Sequence, residues 1–165
     1  MNISRITQVF IVLLFCLSEI FYLNSHYKIL INYTESLPNF AFLIKKTELQ
    51  PGKGQYVAFK PKYTRYHKDK IFVKQVAGVN GDKISNRLNP KKKGYTDIYI
   101  DDKYLCTAKP RSLVGDVLKP NTFAGQIEKE HYFLVAPHKD SYDSRYEDIG
   151  LIKQEDILGV AIPIL

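Results

Sequence analysis

The stretch IFVKQVAGVNGDKI, residues 71–84, decides the fold class of this chain. Its Val, Ile and Phe residues predict a buried strand, and the residues after the Asn-Gly turn at 80–81 predict the start of a second strand. Asn-Gly is also a strong signal for a two-residue hairpin. One residue does not fit a plain buried strand. Lys74 lies between Phe72 and Val76, and the alternation of side chains puts all three on one apolar face.

Short runs of the same kind continue on both sides of this stretch. The runs rich in Val, Ile, Phe and Tyr are YVAFK (56–60), DIYID (97–101), HYFLVA (131–136) and ILGVAIPIL (157–165). The section 85–130 is less regular and lysine-rich, which indicates an insertion or flap on the β-core. Its PKKKG run (90–94) is interpreted as a solvated loop rather than a contact with anionic headgroups. The pattern predicts an all-β domain over residues 28–165.

The N-terminal segment has a different composition. Residues 6–23, ITQVFIVLLFCLSEIFYL, are mostly apolar. As a helix, this run spans roughly 27 Å, just enough for a thin bilayer core. A cleaved secretory signal and a buried helix of a soluble domain are the alternatives. No small-x-small cleavage motif follows, which favours an uncleaved anchor over residues 1–27. Arg5 is the single basic residue before the run, so a charge count leaves the orientation open.

Composition excludes little else. The chain has 165 residues and a net charge of +7, which fits one domain but does not choose between nucleic acid, lipid and acidic partners. Cys16 lies in the apolar run, so a disulfide with Cys106 is not expected. The histidines show no ligand spacing such as H-x-x-x-H, and no glycine-rich phosphate loop is present. We therefore predict no metal, no cofactor and no nucleic-acid partner.

Lys74 and Ser36 are the candidate reactive residues. A lysine on an apolar face either extends its ammonium group to water or is desolvated, in which case its pKa falls and it becomes a general base. Such a base needs a nucleophile within hydrogen-bond reach. Ser36, in NYTESLPNFAFLI (32–44), has the exposed turn position that a nucleophile needs, although the segment also fits ordinary turn chemistry.

Four segments, in this order, carry a resemblance to a known family. They are ESLP (35–38), GQYVAF (54–59), VKQVAGVNGDKI (73–84) and SYDSRYEDIG (141–150). They resemble the boxes of the bacterial type I signal peptidases, which are membrane-anchored serine proteases with a Ser/Lys dyad. The resemblance implies a signal-peptidase/LexA-like coiled β-sheet catalytic domain with one N-terminal transmembrane helix.

Departures from the family pattern point to a subtype. Leu37 stands where the family commonly has methionine, Pro38 follows Ser36 by two residues, and Gln55 and Gln75 replace the usual Asp and Arg. A Ser-x-Pro box in a short chain with a small insertion is most similar to the TraF-type peptidases of conjugative transfer systems. That likeness implies maturation of a conjugative pilin precursor.

The resemblance also implies roles for single residues. Ser36 would be the nucleophile and Lys74 the general base, and the oxyanion hole would consist of the Ser36 N–H and the Thr34 hydroxyl. Three further residues would support the site: Ser141 by orienting Lys74, and Asp143 and Arg145 as a pair that holds the loop. A surface salt bridge is the alternative for that pair. An intact site is predicted to place Ser36 Oγ within hydrogen-bond reach of Lys74 Nζ, with little solvent at the amine.

The implied partners are a precursor protein and membrane lipid. The precursor would be a propilin or a preprotein with a signal peptide. The chain would be a single-pass protein of the cytoplasmic membrane with its catalytic domain on the periplasmic side. The short distance from the apolar run to Ser36 predicts that Phe40 and Phe42 dip into the interface, with core packing as the alternative.

Three rival functions are compatible with the sequence. A general type I signal peptidase and a catalytically idle, membrane-anchored assembly module share the same boxes. A LexA-like self-cleaving repressor would need an Ala-Gly site upstream of Ser36. The two Ala-Gly pairs, at 77–78 and 124–125, lie downstream instead.

Overall fold

The structure is a computed structural model that describes residues 4–46, 50–62, 64–66 and 70–164. Within these ranges a helix precedes a series of short strands. The elements are α1 (Arg5–His26), β1 (Tyr27–Ile31), β2 (Ala41–Lys45), β3 (Tyr56–Phe59), β4 (Phe72–Gly78), β5 (Lys83–Leu88), β6 (Thr96–Ile100), β7 (Lys103–Ala108), β8 (Gly125–Gln126), β9 (His131–Val135), β10 (Ile152–Lys153), a 3-10 turn (Gln154–Asp156) and β11 (Ile157–Pro163).

The strands form two antiparallel sheets. The larger sheet has seven strands in the order β1-β2-β11-β3-β4-β9-β10, and the smaller has four in the order β7-β6-β5-β8. The predicted fold class, an all-β domain after one apolar N-terminal helix, is confirmed. The predicted hairpin at the Asn-Gly turn is wrong, because β4 and β5 pair in different sheets. Gly81 still makes a turn there, with a φ of 91° that favours glycine. The turn therefore passes the chain from one sheet to the other.

Part of section 85–130 is more regular than its sequence suggests. Strands β5 to β7 form an antiparallel meander in which residues 83–108 carry regular pairing. The sequence pattern predicts β6 but not β7, whose Lys, Cys and Thr residues give a weak strand signal. The following residues form a loop that is closed by bridges between Arg111 and Val117 and between Pro120 and Tyr146.

Core packing follows the two-residue alternation of the strands. In β3, Val57 and Phe59 pack in one apolar cluster, whereas Ala58 between them packs in another. Phe42 of β2 belongs to the Ala58 cluster and is fully buried. The prediction that Phe42 dips into a membrane interface is therefore wrong, while Phe40 is 58 % exposed.

Helix α1 leaves its apolar side chains uncovered. Ser4 caps its N-terminus by accepting a hydrogen bond from the Thr7 N–H. Residues Thr7–His26 are long and apolar enough to cross a membrane, and the rest of the described chain buries none of this stretch. The helix runs straight into β1 at Tyr27. An apolar N-terminal helix of this kind fits either a membrane anchor or a signal sequence.

Candidate active site

A cleft of about 620 Å³ lies where the turn between β1 and β2 faces β4 and the loop after β9. It collects side chains that are far apart in sequence. Four predicted site residues line it, namely Thr34, Ser36, Lys74 and Ser141. The structure thus places the predicted nucleophile, base, oxyanion donor and orienting serine around one space.

Lys74 is buried in the middle of the larger sheet. Its strand β4 lies between β3 and β9, and only 5 % of the residue is exposed. Its Nζ donates a 2.9 Å hydrogen bond to Ser141 Oγ. Burial lowers the pKa of Lys74 to about 8, while the nearby Asp143 raises this pKa and Arg145 lowers it. Of the two alternatives, Lys74 is therefore the desolvated lysine and not one that extends its ammonium group to water.

The serine turn is organised by Asn32, a residue that the sequence analysis did not single out. Its Oδ1 accepts hydrogen bonds from the backbone N–H and the hydroxyl of Thr34, at 3.0 and 2.8 Å. Its Nδ2 donates to the carbonyl oxygens of Leu37 and Asn39, at 3.4 and 3.0 Å. The amide therefore bridges both sides of the turn that carries Ser36. The Asn-x-Thr spacing is an Asx-turn signal that was available in the sequence.

Ser36 and Lys74 line the same cleft but are hydrogen-bonded to different partners. Ser36 Oγ lies 2.9 Å from Thr34 Oγ1, and Lys74 Nζ is hydrogen-bonded to Ser141 instead. Within the described ranges no hydrogen bond joins the two predicted dyad atoms, which corrects that part of the expected geometry. The neighbouring Thr34 hydroxyl captures Ser36 Oγ because the two side chains share one turn. Catalytic hydrogen bonds are often long before substrate binds.

Asp143 and Arg145 form a buried ion pair. Arg145 Nε donates to Asp143 Oδ1 at 2.8 Å and its Nη2 donates to Oδ2 at 3.0 Å, with side chains 2 % and 0 % exposed. The same two residues bind both backbone groups of Ala136, because its N–H donates to Asp143 and its carbonyl accepts from Arg145. The surface-salt-bridge alternative is therefore wrong. The pair fastens the loop that carries Ser141 to the end of β9.

A second ion pair holds the same loop from the other side. Lys109, just after β7, contacts Asp140, the residue before Ser141. Ser141 also donates its backbone N–H to the His138 carbonyl. The sequence analysis did not single out Lys109 or Asp140. Asp140 lies in the polar run HKDS (138–141), in which nothing local indicates a contact with a lysine 31 positions away.

Close packing explains why the quoted stretch has a glycine at position 78. A Cβ at this position would lie 2.7 Å from Ile127 Cδ1 and 3.1 Å from Phe133 Cβ. The register of β4 against β9 shifts just here, between Val76 and Gly78. A side chain would therefore clash where the two sheets come together.

Antiparallel sheets that bring a turn serine and a buried lysine to one cleft are characteristic of a serine-type hydrolase. The family model described as "Signal peptidase, peptidase S26" matches residues 3–165, so the chain belongs to this family. Its members are serine endopeptidases that remove signal peptides from precursor proteins. A comparison with curated proteins gives no match.

Proposed function

We propose that this chain is a membrane-anchored serine endopeptidase in which Ser36 is the nucleophile and Lys74 the general base. The observation that carries the proposal is the buried Lys74 amine, hydrogen-bonded to Ser141 in the cleft that Ser36 also lines. Membership of the S26 family supports the endopeptidase chemistry. The assignment of these two residues rests on the cleft and on the motif resemblance.

In the first step, Ser36 Oγ attacks the scissile carbonyl carbon and its proton passes to Lys74 Nζ. With a pKa of about 8, roughly a tenth of the lysine is neutral at pH 7 and able to accept that proton. The Ser36 hydroxyl must first leave Thr34 and turn toward Nζ. The peptide C–N bond then breaks, the leaving amine takes the proton from Lys74, and an acyl-enzyme remains.

Negative charge develops on the carbonyl oxygen during this attack. The Ser36 backbone N–H and the Thr34 hydroxyl are the proposed donors. The Thr34 hydroxyl donates its single proton to Asn32 Oδ1, so it must turn from Asn32 to the oxyanion, while the Thr34 N–H keeps its own hydrogen bond to Asn32. Loss of a single oxyanion donor costs roughly 3–4 kcal/mol of transition-state stabilisation in serine proteases.

The second step releases the acyl group. A water molecule in the cleft donates a proton to the neutral Lys74 amine and attacks the ester carbon. The Ser36–acyl bond breaks and Ser36 Oγ recovers a proton from Lys74. Ser141 orients the amine throughout, and Asp143 with Arg145 holds the Ser141 loop.

The proposed substrate is a membrane-inserted precursor. Helix α1 would act as an uncleaved anchor in the cytoplasmic membrane, with residues 28–165 on the periplasmic side and in contact with lipid. The likeness to TraF-type peptidases supports a conjugative propilin as the precursor, with a preprotein carrying a signal peptide as the general alternative. No nucleic-acid partner and no cofactor is required by this chemistry.

The test is mass spectrometry of candidate precursors after incubation with the full-length protein in lipid vesicles. Wild-type protein is expected to give one new terminus, which Ser36→Ala abolishes. Thr122→Ala is the matched control, because it removes an exposed hydroxyl from a loop residue that lines neither the cleft nor the adjoining cavity. Cleavage that persists in Ser36→Ala would disprove the nucleophile. No cleavage of either precursor class would favour the idle assembly module, in which the two residues are present but unused.

A further inference from the structure

A second cavity of about 230 Å³ adjoins the catalytic cleft. Three residues line both spaces, namely Leu113, Asp140 and Tyr142. The cavity lies between the loop after β7 and the Ser141 loop. A polypeptide bound in the cleft at Ser36 can therefore extend over these shared residues into the second cavity.

The wall and floor of the second cavity are aromatic and aliphatic. The Tyr142 ring packs edge-on against Tyr66, with centroids 5.2 Å apart, and stacks on Tyr146 at 5.7 Å. Leu118 closes the cavity floor and is buried. Aromatic surfaces arranged in this way favour a further aromatic ring, because edge-to-face and offset contacts add to the apolar area that is buried.

The phenol groups of these tyrosines already have partners. Tyr142 donates to Asp148 at 2.7 Å, and Tyr66 donates to Asp116 at 2.9 Å. Tyr146 accepts a hydrogen bond from the Lys109 backbone N–H at 3.3 Å. These hydrogen bonds fix the rings before any ligand binds, so that little ordering entropy is lost on binding.

The three charged residues in the cavity lining already have partners. Lys109 and Asp140 form an ion pair with side chains 21 % and 12 % exposed, and the Arg111 guanidinium donates to the Gly115 carbonyl. An incoming charged group would lose water and compete with these contacts, which disfavours a charged side chain. The lining therefore suits a large apolar side chain better than a charged one.

We propose that the second cavity is a substrate subsite that takes one large apolar, preferably aromatic, side chain of the precursor polypeptide. This inference rests on the proposed peptidase function. The peptide would pass from Ser36 over Leu113 and Tyr142 and place that side chain against Tyr66 and Leu118. One methylene gained or lost in such a pocket changes kcat/KM by about 10–200-fold.

Two valines of one loop give matched test variants. Val114 lines the second cavity and is 84 % exposed, so Val114→Trp fills the cavity without disturbing the core. Val117, 53 % exposed in the same loop, does not line the cavity. Val117→Trp is therefore the control for any general effect of a tryptophan in this loop.

The experiment uses alanine-serine peptides in which a single phenylalanine is placed at each position in turn. Cleavage of each peptide by the full-length protein in detergent is followed by mass spectrometry. One position is expected to favour phenylalanine over alanine by about tenfold or more in kcat/KM. Val114→Trp should remove that preference, measured as the ratio of kcat/KM for the phenylalanine peptide to that for the all-alanine peptide, whereas Val117→Trp should keep it.

A binding measurement separates the subsite from the catalytic assignment. Fluorescein-labelled versions of the same peptides are titrated with Ser36→Ala protein, and anisotropy reports affinity without turnover. Tighter binding at one phenylalanine position that Val114→Trp abolishes supports the subsite even if wild-type protein cleaves nothing. Equal binding at every position, or a preference that survives Val114→Trp, overturns it. Cleavage without any phenylalanine preference would leave the peptidase intact and refute the subsite alone.

Discussion

Lys74 Nζ donates a 2.9 Å hydrogen bond to Ser141 Oγ across 67 residues of sequence. Both residues are almost completely buried, at 5 % and 2 % exposure. Among the described residues no carboxylate forms an ion pair with Lys74, so a neutral hydroxyl is the partner of a desolvated amine. Burial lowers the pKa of Lys74 to about 8, so part of the amine is neutral and able to accept a proton at neutral pH.

The dyad predicts non-additive mutants. Ser36→Ala, Lys74→Ala and the double variant should all fall to a similar residual kcat/KM, because residues that act as a unit fail together. Lys74→Arg should not restore activity, since guanidinium does not release its proton at usable pH. Steady-state cleavage of one peptide by all four variants makes the measurement. Near-normal cleavage by Lys74→Ala would disprove the assignment of Lys74 as the general base.

The pKa of Lys74 predicts the pH dependence of catalysis. Only the neutral amine accepts a proton from Ser36, so kcat/KM should rise with pH and reach half its plateau near pH 8. Ser141→Ala should lower the plateau, because the amine loses the group that orients it. A pH profile of wild type and this variant checks both points. A wild-type profile that is flat between about pH 7 and 9, roughly a unit on either side of this pKa, would contradict a lysine base.

Burial of Lys74 also predicts a stability effect. The drop in its pKa from 10.5 to about 8 corresponds to about 3 kcal/mol lost on folding below pH 8. The loss shrinks as pH rises from 8 to 10.5, because the unfolded chain then also loses its proton. Lys74→Met should therefore raise Tm by up to roughly 6–12 °C at pH 7 and by much less near pH 10.5.

The matched control for that variant is Lys83→Met. Lys83 is an exposed strand lysine of β5, so its replacement should leave Tm nearly unchanged at both pH values. Thermal unfolding followed by circular dichroism gives the comparison. A Lys74→Met variant that is less stable than wild type at pH 7 would show that burial of the Lys74 amine does not destabilise the fold.

The buried pair and the orienting serine should behave differently. Asp143→Ala leaves Arg145 charged and unpaired in the interior, which costs about 3–5 kcal/mol of stability along with activity. Ser141→Ala should slow turnover and leave Tm close to wild type. Denaturant unfolding and peptide cleavage on both variants separate the two roles. The exposed Glu155 contacts Lys62, and Glu155→Ala should change neither quantity measurably.

The start of the domain predicts its position relative to a membrane. Helix α1 ends at His26, and Ser36 follows ten residues later, at most about 35 Å away if the chain were fully extended. A protein that starts at Tyr27 should cleave a short peptide and lose far more activity on a membrane-embedded precursor. Assays of both substrates in the same vesicles test this. Equal losses would mean that α1 stabilises the fold rather than locating the site.

Phe40 offers a finer test of the same idea. It is 58 % exposed beside the serine turn, so Phe40→Ser should weaken vesicle binding of the truncated protein. Leu88, 80 % exposed on β5 of the smaller sheet, provides the matched control variant Leu88→Ser. An equal effect of both substitutions would indicate non-specific hydrophobic adsorption to the vesicles rather than an oriented membrane contact.

Local patterns in the sequence determined much of this protein. Runs rich in Val, Ile, Phe and Tyr predicted strands β3, β4, β6, β9 and β11, because such side chains favour buried strands. The apolar composition of residues 6–23 predicted helix α1, and the quoted boxes contain Ser36, Lys74 and Ser141, which line the cleft. These features depend on neighbours in the chain, which a sequence displays directly.

Only the tertiary structure decided the rest. The Asn-Gly turn joins two sheets instead of closing a hairpin, because β4 finds its partners in β3 and β9. Phe42 lies in β2 and is buried, whereas Phe40 precedes the strand and is exposed, so only the first of them packs in the core. The link from Lys109 to Asp140, and the hydrogen bond of Lys74 to Ser141 rather than to Ser36, depend on how separate segments pack. Such contacts form between residues that only the folded chain brings together, so local sequence patterns contain no signal for them.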